Sequence, residues 1–282
     1  ILVGWLGVPS LFGGGDAAAA PALWRVSDAD SRIYLFGTLH VLSPKAQWRT
    51  PLYDRVLAEA GTVWFDADLA SGDPDTVRLL LQRYGSDPDT PLSRKLPPAD
   101  VQALARQTNL ARIQHLRPWA AALMLSVRPT LGRGATVEAG ADMAATRAAR
   151  DGAKTIRTFE TLEDQARMYA SLPQASEVRY LRKVVQERAK RRVVLPPGPV
   201  TLERAWLAGD LSRLGSRALQ ADNPGLYDAL LKRRNLAWAD KLAAEMAGAG
   251  TELVNVGALH MAGEDGLPAL MAARGFKVER VQ

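Results

Sequence analysis

Cysteine is absent from this 282-residue chain. That excludes disulfides, thiolate metal sites, a thiol nucleophile and a lipidated cysteine. A core of this size needs no covalent staple, so the absence fits an oxidising or a reducing compartment. Long apolar runs are missing too. Ile1 to Phe12 is nearly all apolar but falls short of the ~20 residues that span a bilayer, and no other window qualifies. The chain carries no G-x-S-x-G elbow, H-E-x-x-H pair, P-loop or dinucleotide fingerprint. A serine triad would have to be assembled from unremarkable serines and is rejected. Histidine is scarce, with three residues in all.

What is present is an ordinary globular balance, 47% hydrophobic and 23% charged, which argues against disorder. The net charge of +6 is largely local: between Arg179 and Arg192 seven basic residues stand against Glu187 alone. No aromatic interleaving or zinc-finger spacing accompanies them, so the run reads as a solvated helix face and no nucleic-acid partner is expected. At the N-terminus the apolar stretch is followed by Gly13 to Gly15 and Ala17-Ala18-Ala19-Ala20-Pro21. Apolar residues before small ones of A-x-A type read as the remnant of a secretory signal over residues 1–20, with a mature start near Ala20. The expected location is periplasmic or secreted; the alternative is inner-membrane anchoring by an uncleaved N-terminus.

Residues 21–282 read as a single domain. Leu23 to Val26 and Arg32 to Phe36 flank a polar turn and form a hairpin. Pro51 opens a helix, Thr62 to Phe65 is a short strand ending at Asp66, and Pro74 to Tyr84 is helical. Further helices are expected after Pro97-Pro98, over Ile113 to Val127 and over Ala139 to Arg150. Thr155 to Phe159 reads as a strand delivering Glu160, and Thr161 to Asp164 as a capping box. The basic helix runs from about Gln174 to Arg192 and breaks at Pro196-Pro197. Leu202 to Leu207 and Leu211 to Ala221 are shorter helices, and Pro224 starts a long one through Met246. The chain closes as strand, helix from Leu267 to Arg274, and strand from Lys277 to Val281. The fold class is α/β, a central mixed sheet of N- and C-terminal strands with a large helical insertion.

Two of the three histidines close the same phrase. Gly37-Thr38-Leu39-His40 follows the apolar run Ile33 to Phe36, and Gly257-Ala258-Leu259-His260 follows Leu253 to Val256. Each is a strand, a glycine, two residues and a histidine, at opposite ends of the chain. Open α/β sheets bind ligands at the carboxyl ends of their strands, so two such strands side by side bring both imidazoles to one point. The chemistry this suggests is a metal site or acid–base catalysis.

These phrases, with Ala22-Leu23-Trp24-Arg25-Val26, Pro118-Trp119, Gly140-Ala141-Asp142, Phe159-Glu160-Thr161, Trp206, Gly209-Asp210, Arg234-Asn235 and Gly263 to Pro268, resemble the TraB/PrgY/GumN family over about residues 22 to 282. Its bacterial GumN branch takes its name from a polysaccharide gene cluster. The family is similar to the Tiki metal-dependent, membrane-associated proteases. The resemblance implies a Tiki/TraB-like α/β fold whose paired G-x-x-H motifs converge on a divalent metal, with Mn, Co and Zn not distinguished. One departure stands out. The family usually carries Glu in a phrase of type E-x-D-L, and here the phrase is Asp66-Ala67-Asp68-Leu69. Asp keeps the carboxylate but is one methylene shorter, which alters its reach to a metal or moves it one shell outward.

The metal ligands expected are His40, His260 and Asp66, leaving a position for water. Asp66 is also the candidate general base, and Asp68 shares its face if the strand continues. Glu160 is a candidate base or an acceptor orienting an imidazole, and Asp142 a weaker one of the same kind. Arg234 is placed to bind a substrate carboxylate or an oxyanion, with Asn235 making a polar contact. Neighbours on a helix point about 100° apart, so both need not enter one site. His115 reads as structural or surface, and Trp24, Trp119 and Trp206 as packing anchors. The function expected is an exported metal-dependent hydrolase of the protease or peptidase type acting on a peptide or small molecule. The alternative is a non-catalytic periplasmic binding or accessory protein in envelope or polysaccharide export.

Overall fold

The computed structural model describes residues 20–68, 74–131, 134–193 and 202–282; residues 1–19 of the expected signal remnant and the expected break at Pro196-Pro197 lie outside the described residues. Six strands form one sheet: β1 (Leu23–Ser27), β2 (Ser31–Thr38), β3 (Thr62–Phe65), β4 (Thr155–Thr158), β5 (Gly250–Gly257) and β6 (Lys277–Arg280). Their order is β4-β3-β5-β2-β1-β6. The expected hairpin is β1 against β2, antiparallel, with Ser27 facing Arg32. On the other side β2, β5, β3 and β4 run parallel to one another. Four consecutive strands thus present their carboxyl ends along one edge.

Alternation along the strands sorts the apolar side chains to two faces. Tyr34, Phe36, Val63, Phe65 and Leu253 lie in one core cluster, with α1 (Pro51–Glu59) and α5 (Ala141–Asp151). Ile33, Leu35, Trp64, Val254 and Val256 lie in the other, with α11 (Arg233–Glu245) and α12 (Leu267–Ala273). Strands covered on both faces read as continuous apolar runs; 33–36 does so, and 253–256 is interrupted only by buried Asn255, which accepts from the Tyr53 hydroxyl at 2.8 Å.

The insertion is helical. It comprises α2 (Pro74–Gly85), α3 (Pro98–Ala105), α4 (Pro118–Leu131), α6 (Leu162–Ala170), α7 (Gln174–Val193), α8 (Leu202–Leu207), α9 (Ser216–Asp222) and α10 (Pro224–Tyr227). Leu104, Ala121, Leu125, Leu181 and Val185 give α3, α4 and α7 a core of their own. No helix among the described residues is long and apolar enough to cross a membrane.

Several elements differ from expectation. The helix expected over Ile113 to Val127 begins at Pro118; Leu110–Ile113 is a separate 3-10 turn. A proline disfavours helical geometry in the residue before it but suits a first helical position. The helix expected over Leu211 to Ala221 is split by Gly215, whose φ of +90° lies in the left-handed region. The basic face of α7 is tied down as well as solvated: Arg182 pairs with Asp100, Lys183 with Asp222, and Arg188 donates to the Leu125 carbonyl. The capping box is as expected, with Thr161 and Asp164 bonding reciprocally.

Candidate active site at the carboxyl edge of the sheet

Each of the four parallel strands leads, just beyond its last residue, to one of the predicted site residues. Across the edge, β4 is followed by Glu160, β3 by Asp66, β5 leads to His260 and β2 to His40. The β2–β5 register, Gly37 against Val256 and Thr38 against Gly257, sets the two G-x-x-H phrases side by side.

The two motif glycines serve different ends. A Cβ on Gly37 would lie 2.8 Å from the Ala258 Cα, closer than a side chain can approach backbone. Gly37 therefore lets the turn after β5 (Ala258–Met261) seat against β2, and Trp206 donates to the Gly37 carbonyl at 2.7 Å. Gly37→Ala is expected to destabilise the fold by about 1–3 kcal/mol, read as a lower urea midpoint at unchanged slope. Gly257 has room: a Cβ there would make ordinary contacts, 3.6 Å from His260 Cδ2 and 3.7 Å from His40 Nε2. It faces the space between the imidazoles.

His260 is buried, and its tautomer follows from its partners. The Asn235 amide nitrogen donates to two carbonyls, of Asp265 at 2.7 Å and of His260 itself at 3.4 Å, so the amide oxygen faces the ring. That oxygen lies 2.5 Å from His260 Nδ1, which must carry the proton. On the other side Arg234 Nη1, which can only donate, lies 3.1 Å from His260 Nε2. Although neighbours on a helix point about 100° apart, Arg234 and Asn235 grip opposite nitrogens of one imidazole. A π-helical segment, Asp228–Lys232, immediately precedes them in the helix. Such segments recur at functional sites. Burial first, then the Arg234 and His40 charges, hold the His260 pKa well below the ordinary value.

Arg234 is itself held. Its Nε and Nη2 donate to the two Glu160 oxygens at 2.8 Å each, and Nη1 also reaches the Leu230 carbonyl. Its guanidinium lies over Trp238, whose ring packs on His260 at 4.4 Å. Glu160 thus anchors a cation, while the capping of α6 falls to Thr161 and Asp164.

His40 is the exposed member, its side chain 46% accessible. Its Nδ1 lies 3.2 Å from Asp142 Oδ1 and its Nε2 3.9 Å from Asp66 Oδ2. Gly140 makes the first contact: a Cβ there would lie 2.4 Å from the His40 carbonyl oxygen. The Ala141 N–H donates to the Leu39 carbonyl at 2.9 Å, docking the start of α5 on the histidine loop. Burial pushes the His40 pKa down, but its contact with Asp142 and the charges of Asp142 and Asp66 outweigh burial and Arg234, lifting it to about 9. Burial raises the Asp66 pKa, opposed by His40 and by the hydrogen bond from the Ala67 N–H.

Asp68 does not join this group. β3 stops at Phe65, the Asp66 side chain accepts from Ala67, and Asp68 faces Arg150 at 3.4 Å. His115 is exposed, as expected. Trp119 and Trp206 are buried anchors, whereas Trp24 is half-buried beside Arg280. Sequence reading missed Trp238, Tyr227 and the part Asp265 plays. The Tyr227 hydroxyl donates to Asp265 Oδ2 at 2.9 Å, steadying the loop whose carbonyl holds Asn235. The phrase Gly263 to Pro268 marked the loop, but nothing marked Tyr227.

The donors suit a divalent cation. Each imidazole has Nδ1 against a side-chain oxygen, the arrangement that steers Nε2 toward a metal. Asp142 is buried with neither carboxylate oxygen in a well-formed hydrogen bond. The arrangement, however, is not closed around a cation: among the described residues no group of three or more His, Asp or Glu is set to hold one. Arg234 occupies the His260 acceptor.

A model of the TraB/PrgY/gumN family matches residues 22–280. The uncharacterized protein YbaP of Escherichia coli K12 is 26% identical over 208 residues, 68% of this chain and 76% of YbaP. YbaP of Shigella flexneri matches to the same extent. No solved structure matches. The chain belongs to the TraB/PrgY/gumN family.

Proposed function

We propose that this member of the TraB/PrgY/gumN family is an exported, periplasmic or secreted hydrolase of peptide bonds that works with a divalent cation. The observation that supports the reading is the convergence of both G-x-x-H histidines at the ends of adjacent parallel strands, beside the buried carboxylate of Asp66. His40 and His260 would hold the cation through Nε2, with Asp66 as third donor. Bound there, Mn, Co or Zn supplies the Lewis acidity that polarises a carbonyl and acidifies water.

The protein's own groups have separate tasks. Asn235 keeps the proton on His260 Nδ1, and the Asp142 charge, 3.2 Å from His40 Nδ1, favours a proton on that nitrogen. Asp66, its pKa raised by burial, is suited to take a proton from the attacking water and return it to the leaving amine. Arg234, anchored by Glu160, offers N–H groups to the charge that develops on the substrate oxygen.

A second reading has its own observation. Arg234 on His260 Nε2, with Asp in place of the family's Glu, suits a binding or accessory protein of the envelope or of polysaccharide export that keeps the pocket without turnover. Metal analysis of purified protein loaded with Mn, Co or Zn separates the two, beside His40→Ala and His260→Ala. The hydrolase should hold about one cation per chain, lose it in both variants, and cleave members of a peptide and ester panel. Stoichiometric cation without cleavage would favour the binding protein. No bound cation would remove the mechanism.

A further inference from the structure

The disagreement between a suitable donor set and an unclosed arrangement has one physical cause. His260 has a single free lone pair, at Nε2, because Nδ1–H is committed to Asn235. The ring cannot easily turn to offer another, since Trp238 packs against it and Asn235 is fixed by the Asp265 carbonyl. Arg234 Nη1 takes that lone pair at 3.1 Å. A metal on the same nitrogen would sit at roughly 2.0–2.1 Å, about 1 Å from Nη1 if the two lie in line. The guanidinium and the cation are mutually exclusive.

We propose that Arg234 gates this site: its guanidinium holds the coordination position at His260 Nε2, and a divalent cation enters as Arg234 swings away. The inference rests on the cation reading above and names the residue that regulates it. The surroundings supply both a pivot and a destination. Glu160 grips Nε and Nη2, the side of the guanidinium away from the histidine contact, so the rigid guanidinium withdraws Nη1 by pivoting together with the Glu160 carboxylate. Beside it lies an open cleft of about 380 Å³ lined by Phe159, Glu160, Met168, Ala229, Trp238 and Lys241, with Arg234 on its wall. The departing Nη1 would exchange its bonds to His260 and Leu230 for water in that cleft. The gate is also a charge exchange, in which a fixed monovalent cation yields to a divalent one near the carboxylates of Asp66 and Asp142.

Titration calorimetry with MnCl2 and with ZnCl2 on cation-stripped full chain tests the gate without reference to turnover. Arg234→Met should bind about tenfold more tightly than wild type if the guanidinium occupies Nε2 in about nine molecules of ten. Because Arg234→Met leaves Glu160 unpaired, the same comparison is made between Arg234→Met/Glu160→Gln and Glu160→Gln alone. Adding His260→Ala should abolish the gain, placing it at this nitrogen. Equal or weaker binding in both Arg234 variants, with wild type still binding, would overturn the gate and leave the cation reading intact. No binding by wild type or by either Arg234 variant would overturn both.

Discussion

Arg234→Met is expected to lower the unfolding free energy by about 3 kcal/mol, the low end of the range for breaking a buried ion pair by removing one partner. The side chains of Arg234 and Glu160 are 10% and 15% exposed, so the carboxylate left behind has little water to turn to. Both of its oxygens lose a 2.8 Å donor at once. Methionine keeps much of the contact with Trp238 but none of the cation–π attraction or the bond to the Leu230 carbonyl. Much of the cost is therefore the stranded charge, and Glu160→Gln in the same chain should recover more than half of it. Urea unfolding of the two single variants and the double one gives the coupling directly. If the double variant is as unstable as Arg234→Met alone, the pair is not what holds this corner of the site.

The same corner shows where sequence reading stopped. The strand-end rule set His40, Asp66 and His260 beyond short apolar runs that are buried strands, and Glu160 beyond the more polar, half-exposed edge strand β4. Register then did the rest, since β2 and β5 are parallel neighbours. Arg234 and Asn235 were harder. Two adjacent helical residues ordinarily face about 100° apart, and Pro224 to Met246 read as one regular helix, without the π-helical segment that precedes them. Nor did spacing show that one imidazole would lie between them. Asp142 was legible only as part of a short phrase with Gly140. Its importance depends on the Gly140 contact with the His40 carbonyl, which is tertiary. Asp68 was to share the face of Asp66 only if the strand ran on, and that condition fails because β3 stops at Phe65. The proline at 118 and the glycine at 215 carried boundary signals that helical periodicity outvoted.

In the cation-free protein His40 should titrate at about 9 and therefore be charged at neutral pH, while His260 stays neutral down to well below the ordinary histidine range. Three histidines make the test simple: nitrogen-detected NMR should give His40 and His260 widely separated midpoints. Asp142→Asn removes the charge that raises His40 and leaves a neutral acceptor beside it, so that burial and Arg234 are opposed chiefly by Asp66 and its midpoint should fall by more than a unit. A raised folded-state value means the protonated ring stabilises the fold. That contribution is complete below the unfolded value near 6.5 and is lost as pH rises through about 9. Wild-type stability should thus carry a component that declines from pH 6.5 to 9 and flattens in Asp142→Asn. Water around the half-exposed ring keeps this component smaller than the midpoint shift alone would suggest. The same proton bears on the proposed cation, because Nε2 must be free of it to bind. Cation affinity should therefore climb with pH toward 9 in wild type and level off earlier in Asp142→Asn. If both proteins level off at the same pH, Asp142 does not control the ring that the cation would use.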